Sequence, residues 1–85
     1  MDDELEIFKK KLLYRASYRG TKEMDILLSS FVKKYINIFN EAQLRDLENF
    51  LKIEDEEILN YYNHNKITNA IEKNKISKIF QEFKI

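Results

Sequence analysis

At 85 residues the chain has length for one small domain, which buries only about 60% of its unfolded surface and cannot wall off a catalytic cleft of its own. Its 15 basic and 15 acidic residues cancel to a net charge of zero, which argues against a protein whose main task is gripping a phosphate backbone. With no cysteine there is no disulfide, no thiolate metal site and no cysteine nucleophile.

Proline is absent and glycine occurs once, so helices can run with few interruptions. Leu5, Phe8, Leu12 and Ala16 recur at spacings of three and four, the stripe of an amphipathic first helix. Gly20 marks a corner, and Met24, Leu27, Leu28, Phe31, Tyr35 and Ile38 continue as a second helix. Asn40 with Gln43 three residues later matches a capping box, opening a third helix with Leu44, Leu47, Phe50 and Leu51. The acidic run Glu54–Glu57 then suits the positive end of a fourth helix, which carries Ile58, Leu59 and Tyr62. Asn63, His64 and Asn65 suit a turn, because Asn tolerates left-handed backbone. Thr68 is the expected cap of a fifth helix bearing Ile71, Ile76, Ile79, Phe80 and Phe83.

No strand-like alternation and no repeat competes with this pattern. The sequence predicts an all-α fold, a compact single-domain bundle of five short helices over residues 1–85. Its predicted core is Leu12, Leu27, Leu28, Phe31, Leu47, Phe50, Leu51, Leu59, Phe80 and Phe83. No apolar run approaches the ~20 residues that span a bilayer. The start Met1-Asp2-Asp3-Glu4 is acidic, unlike a targeting segment. The expectation is a monomer without direct membrane insertion, in a reducing intracellular compartment.

Residues that carry chemistry are sparse. His64 is the one histidine and has no partner at ligand spacing, so a polar turn residue outweighs a metal ligand or general base. Ser17, Ser29, Ser30 and Ser77 lack a histidine at suggestive spacing. The Glu54–Glu57 cluster lacks the alternating ligands and central glycine of a calcium loop, and reads as a solvated helix start. One glycine cannot build a phosphate cradle. The expectation is therefore not an enzyme, with no bound metal and no stably bound cofactor.

The corner is more informative. Lys9, Lys10, Lys11, Arg15, Arg19 and Lys22 make the first helix and its end basic. Arg15 and Arg19 stand four residues apart, as do Tyr14 and Tyr18 beside them, the arrangement of an exposed recognition stripe in residue types common at binding hot spots. Gly20 fits either a left-handed helix end or the N-cap of the second helix, and the latter puts Glu23 at N3 for half a capping box. Local helix rules leave Arg19 and Asp25 unexplained. Two readings from other classes are a small helical nucleic-acid-binding domain using the Lys9–Lys22 face and a generic protein-interaction module.

Arg19-Gly20-Thr21-Lys22-Glu23 forms an RGxxE motif, followed by Met24-Asp25. The stretch LLYRASYRGTKEMDILLSSF resembles the signature of the small succinate dehydrogenase assembly factors known as flavinators, with weaker likeness to about residue 65. Tyr18 and Tyr61 depart from that family's pattern, standing where many members have a basic residue or histidine and a tryptophan. The resemblance implies a five-helix fold and a chaperone that promotes covalent attachment of FAD to the flavoprotein subunit of succinate dehydrogenase, or of fumarate reductase. The bond joins the flavin 8α-methyl carbon to a histidine of that partner. By the same resemblance Arg19, Gly20 and Glu23 are partner contacts, with Arg15, Tyr18 and Asp25 beside them, and the Arg19 side chain is expected in solvent. The compartment would be the cytoplasm of a bacterium or the matrix of a mitochondrion.

Overall fold

Helix caps and charged first turns set the architecture. The computed structural model describes residues 3–66 and 74–84, which form five α-helices and, among the described residues, no strand. They are α1 (Asp3–Ser17), α2 (Lys22–Tyr35), α3 (Glu41–Leu51), α4 (Asp55–His64) and α5 (Lys75–Glu82). Asp3, Glu4 and Glu6 lie at the start of α1 and Arg15 in its last turn, each matched in sign to the nearby end of the helix dipole. Asn40 caps α3 reciprocally with Gln43, its Oδ1 accepting from the Gln43 amide at 2.8 Å while Gln43 Oε1 accepts from the Asn40 amide at 2.9 Å. Helix α4 runs on through Asn63 and His64, which the sequence suggested for a turn, and ends on Asn65 in the left-handed region, φ 53°, where Asn is tolerated.

Two further boundaries differ from the sequence expectation. Helix α2 stops at Tyr35, and Ile38 lies in the following turn, 70% exposed. Once the chain leaves the helical path the periodicity loses phase, so Ile36 and Phe39 are buried instead. Phe39 folds back to stack on Tyr35, ring centroids 5.2 Å apart and planes 9° apart. Helix α5 is capped by Asn74, whose Oδ1 accepts from the Ser77 amide at 3.0 Å, with Ser77 Oγ accepting from the Asn74 amide at 3.1 Å. Thr68 and Ile71 lie outside the described residues.

Helix α1 packs on α2 and α3, and α5 packs on α3 and α4. Nine of the ten predicted core side chains are buried, and Leu59 is half-buried against that core. Phe31 sits at the centre, its ring edge-on to Phe80 at 5.1 Å and to Phe83 at 5.3 Å. Such contacts add to the hydrophobic gain from burying large rings. Tyr61 is buried beside them and donates its hydroxyl to the Ser77 carbonyl at 2.9 Å, which satisfies both groups.

Candidate functional site

The site is the corner between Ser17, the last residue of α1, and Lys22, the first of α2. A sharp change of chain direction there leaves backbone amides with no helical partner, and buried or half-buried amides need acceptors. Two carboxylates provide them. Asp25, in the first turn of α2, accepts from the Arg19 amide through Oδ1. Asp55, the first residue of α4, accepts from the Gly20 amide through Oδ2 at 2.9 Å. Thr21 is the true cap of α2, its hydroxyl accepting from the Met24 amide at 3.2 Å.

The Arg19 side chain runs inward from this corner. Nε donates to Asp55 Oδ1 at 2.8 Å, and Nη2 lies 2.6 Å from the same oxygen. Nη2 also donates to the Ile53 carbonyl at 3.1 Å, while Nη1 donates to the carbonyls of Leu51 at 2.8 Å and Arg15 at 3.3 Å. Four of the guanidinium N–H groups thus donate to acceptors of the chain, and the fork ties the end of α1 to the α3–α4 connection. The Arg19 side chain is 11% exposed and that of Asp55 27%, so the pair is shielded from much of the screening that weakens surface ion pairs.

These contacts correct four expectations. Arg19 is not in solvent; it is an internal tie, and it does not form a stripe with Arg15, because α1 ends at Ser17 and only the Arg15 backbone meets it. Gly20 is neither left-handed nor the N-cap, since its φ is not positive and Thr21 holds the cap. Glu23 therefore sits at N2 instead of N3 and makes no capping box. Asp55, taken for part of a solvated helix start, is the acceptor that closes the corner. A sequence pattern could not show this, because one carboxylate of an acidic run looks like the next until its partner 36 residues away is known.

Other site residues remain available on the outside. Arg15, Tyr18, Gly20 and Glu23 are exposed, and Asp25 is half-buried in the corner. The Tyr14 ring on α1 and the Tyr18 ring just beyond its end meet at 4.5 Å and stay 65% and 72% exposed. Glu23 carries no side-chain hydrogen bond or ion pair to the described residues. It borders a groove of about 140 Å³ lined also by Ile26, Leu27, Leu59 and Tyr62. A free carboxylate at the rim of an apolar groove can take a cation and an apolar side chain together. Among the described residues no group of His, Asp or Glu is placed to hold a metal ion. Among the described residues no helix is long and apolar enough to cross a membrane.

The chain is similar in sequence to known proteins. The chain is 38% identical over 80 residues to the mitochondrial succinate dehydrogenase assembly factor 2 of Scheffersomyces stipitis, covering 93% of this chain and 54% of the relative. It is 43% identical over 58 residues to the assembly factor 2 of Dictyostelium discoideum, covering 68% and 41%. With the FAD assembly factor SdhE of Acetobacter pasteurianus it shares 35% identity over 60 residues, covering 71% and 55%. The chain spans about half the length of these curated relatives. No solved structure matches it. A family model described as the flavinator of succinate dehydrogenase matches residues 10–84, which takes in the corner and all of α2 to α5. The chain belongs to the succinate dehydrogenase flavinator family.

Proposed function

We propose that this chain is an assembly factor that binds the flavoprotein subunit of succinate dehydrogenase and promotes covalent attachment of FAD to it. The observation that carries this reading is a corner with two sides. Its inner side, Arg19 with Asp25 and Asp55, is engaged within the chain, while Glu23 of the RGxxE motif is exposed and has no side-chain partner among the described residues of this flavinator family member.

Glu23 forms a charge-assisted hydrogen bond to a basic group of the partner, and the groove beside it takes a neighbouring apolar side chain. Arg15 and Tyr18, on the other side of the corner along the chain, extend the contact. Arg19 and Asp25 serve binding indirectly by fixing the backbone that carries these groups. The chain holds no FAD or metal stably and acts on FAD attachment in the partner. It is a monomeric, non-catalytic chaperone that holds the partner's domains around bound FAD, so that histidine and 8α-methyl carbon stay close. Positioning of this kind is worth several kcal/mol. The flavoprotein of fumarate reductase is a second partner of the same kind. The compartment is the bacterial cytoplasm or the mitochondrial matrix.

The test is co-expression of the flavoprotein subunit with and without this chain, read as flavin fluorescence of the denatured subunit on a gel. A stronger band with the chain present is expected. Equal bands defeat the assignment.

A further inference from the structure

The φ of Gly20 is not positive, so conformational freedom does not explain the one glycine of the chain. Space does. Among the described residues, a Cβ built on Gly20 meets a single heavy atom within 4 Å outside its chain neighbours, Asp55 Oδ2 at 3.2 Å. That is tighter than ordinary van der Waals contact, so one side must give. The carboxylate is poorly placed to do so. It accepts from the Gly20 amide at 2.9 Å and is held at its other oxygen by Arg19 Nε at 2.8 Å and Nη2 at 2.6 Å.

We propose that Asp55 is the positioning residue of the recognition corner, and that Gly20 lacks a side chain to admit the Asp55 carboxylate rather than the backbone of a partner. Asp55 joins the corner amide, the Arg19 fork and the first turn of α4 into one unit. The direction in which Glu23 is presented, three residues further on, then depends on α4 as well as on α2. The claim about presentation rests on the flavoprotein-binding reading; the claim about space does not.

A double-mutant cycle on the full chain tests both parts, with Gly20→Ala and Asp55→Ala made singly and together. Thermal unfolding is the first readout. In the parent background Gly20→Ala should lower the melting temperature by several degrees. In the Asp55→Ala background the same change should leave it unchanged or raise it, because alanine restricts the unfolded chain more than glycine does. The second readout is Kd for the flavoprotein subunit, at a temperature where circular dichroism shows each variant folded. Asp55→Ala and Gly20→Ala should each weaken binding about tenfold, the scale of one charge-assisted hydrogen bond, and the double variant less than about twofold further.

A residue that only stabilises the fold would leave Kd of the folded variants unchanged, and that result overturns the positioning role. Equal loss on Gly20→Ala in both backgrounds, or no loss in the parent, overturns the spatial claim and returns Gly20 to the partner's side. Should Asp55→Ala not fold, Asp55→Ser keeps an acceptor with a shorter reach and completes the cycle. If the parent chain itself does not bind the flavoprotein subunit, the functional reading falls, while the melting temperatures still decide whether Gly20 acts through Asp55.

Discussion

Arg19 and Asp55 stand 36 residues apart in sequence, yet Arg19 Nε and Nη2 lie 2.8 Å and 2.6 Å from one carboxylate oxygen of Asp55. The corner between α1 and α2 is therefore closed by α4. That geometry divides the RGxxE motif by role: the arginine works inside the molecule, and the glutamate faces out of it.

Arg19→Ala should destabilise the chain by about 2–3 kcal/mol, since it strips a shielded carboxylate of its counter-charge and leaves the Leu51 and Ile53 carbonyls without their donor. Arg19→Lys should recover little of this, because an ammonium cannot reproduce the planar fork. Chemical denaturation of the three proteins checks both statements. Parent-like stability for Arg19→Ala would mean that the fork contributes nothing to the fold.

Arg15→Ala and Tyr18→Ala concern exposed side chains, so each should change stability by less than about 0.5 kcal/mol. Each should weaken binding of the flavoprotein subunit by about 1 kcal/mol or more, the threshold that separates a contributing interface residue from a bystander. Calorimetric titration of the subunit against each variant measures it. Binding equal to the parent for both would remove the end of α1 and Tyr18 from the interface.

Glu23→Gln separates function from fold. Glu23 sits in the first turn of α2, where its charge favours the helix by only about 0.3–1 kcal/mol, and it has no side-chain partner among the described residues to lose. Melting should barely move, while the yield of covalent FAD should fall because a charged contact to the partner becomes a neutral one. Parent-like yield would return Glu23 to the role of a solvated helix-start residue.

Much of the fold was legible because it is written locally. The Asn40–Gln43 capping box, the left-handed Asn65 and the three-and-four spacing of Leu44, Leu47 and Leu51 each need only a few neighbouring residues to interpret. The end of α2 was missed because Ile38 keeps helical spacing after the helix has stopped. The start of α5 was missed because its reciprocal cap pairs Asn74 with Ser77, where the usual signal is a longer Glu or Gln. In the corner, residue types drew attention to a segment where several intrachain contacts converge, and misassigned its parts. An arginine, a glycine and two aspartates that look like surface chemistry in sequence are there to satisfy one another across the fold. Long-range pairing of that kind leaves no periodic trace.

The most direct test of the central claim is reconstitution from purified parts. The flavoprotein subunit, prepared without covalent flavin, is incubated with FAD in the presence or absence of this chain, denatured, and weighed by intact-mass spectrometry. The account predicts that a species heavier by one FAD accumulates with the chain present, and that peptide mapping places the flavin on a histidine of the subunit. The same fraction of FAD-bearing subunit with and without the chain would contradict it.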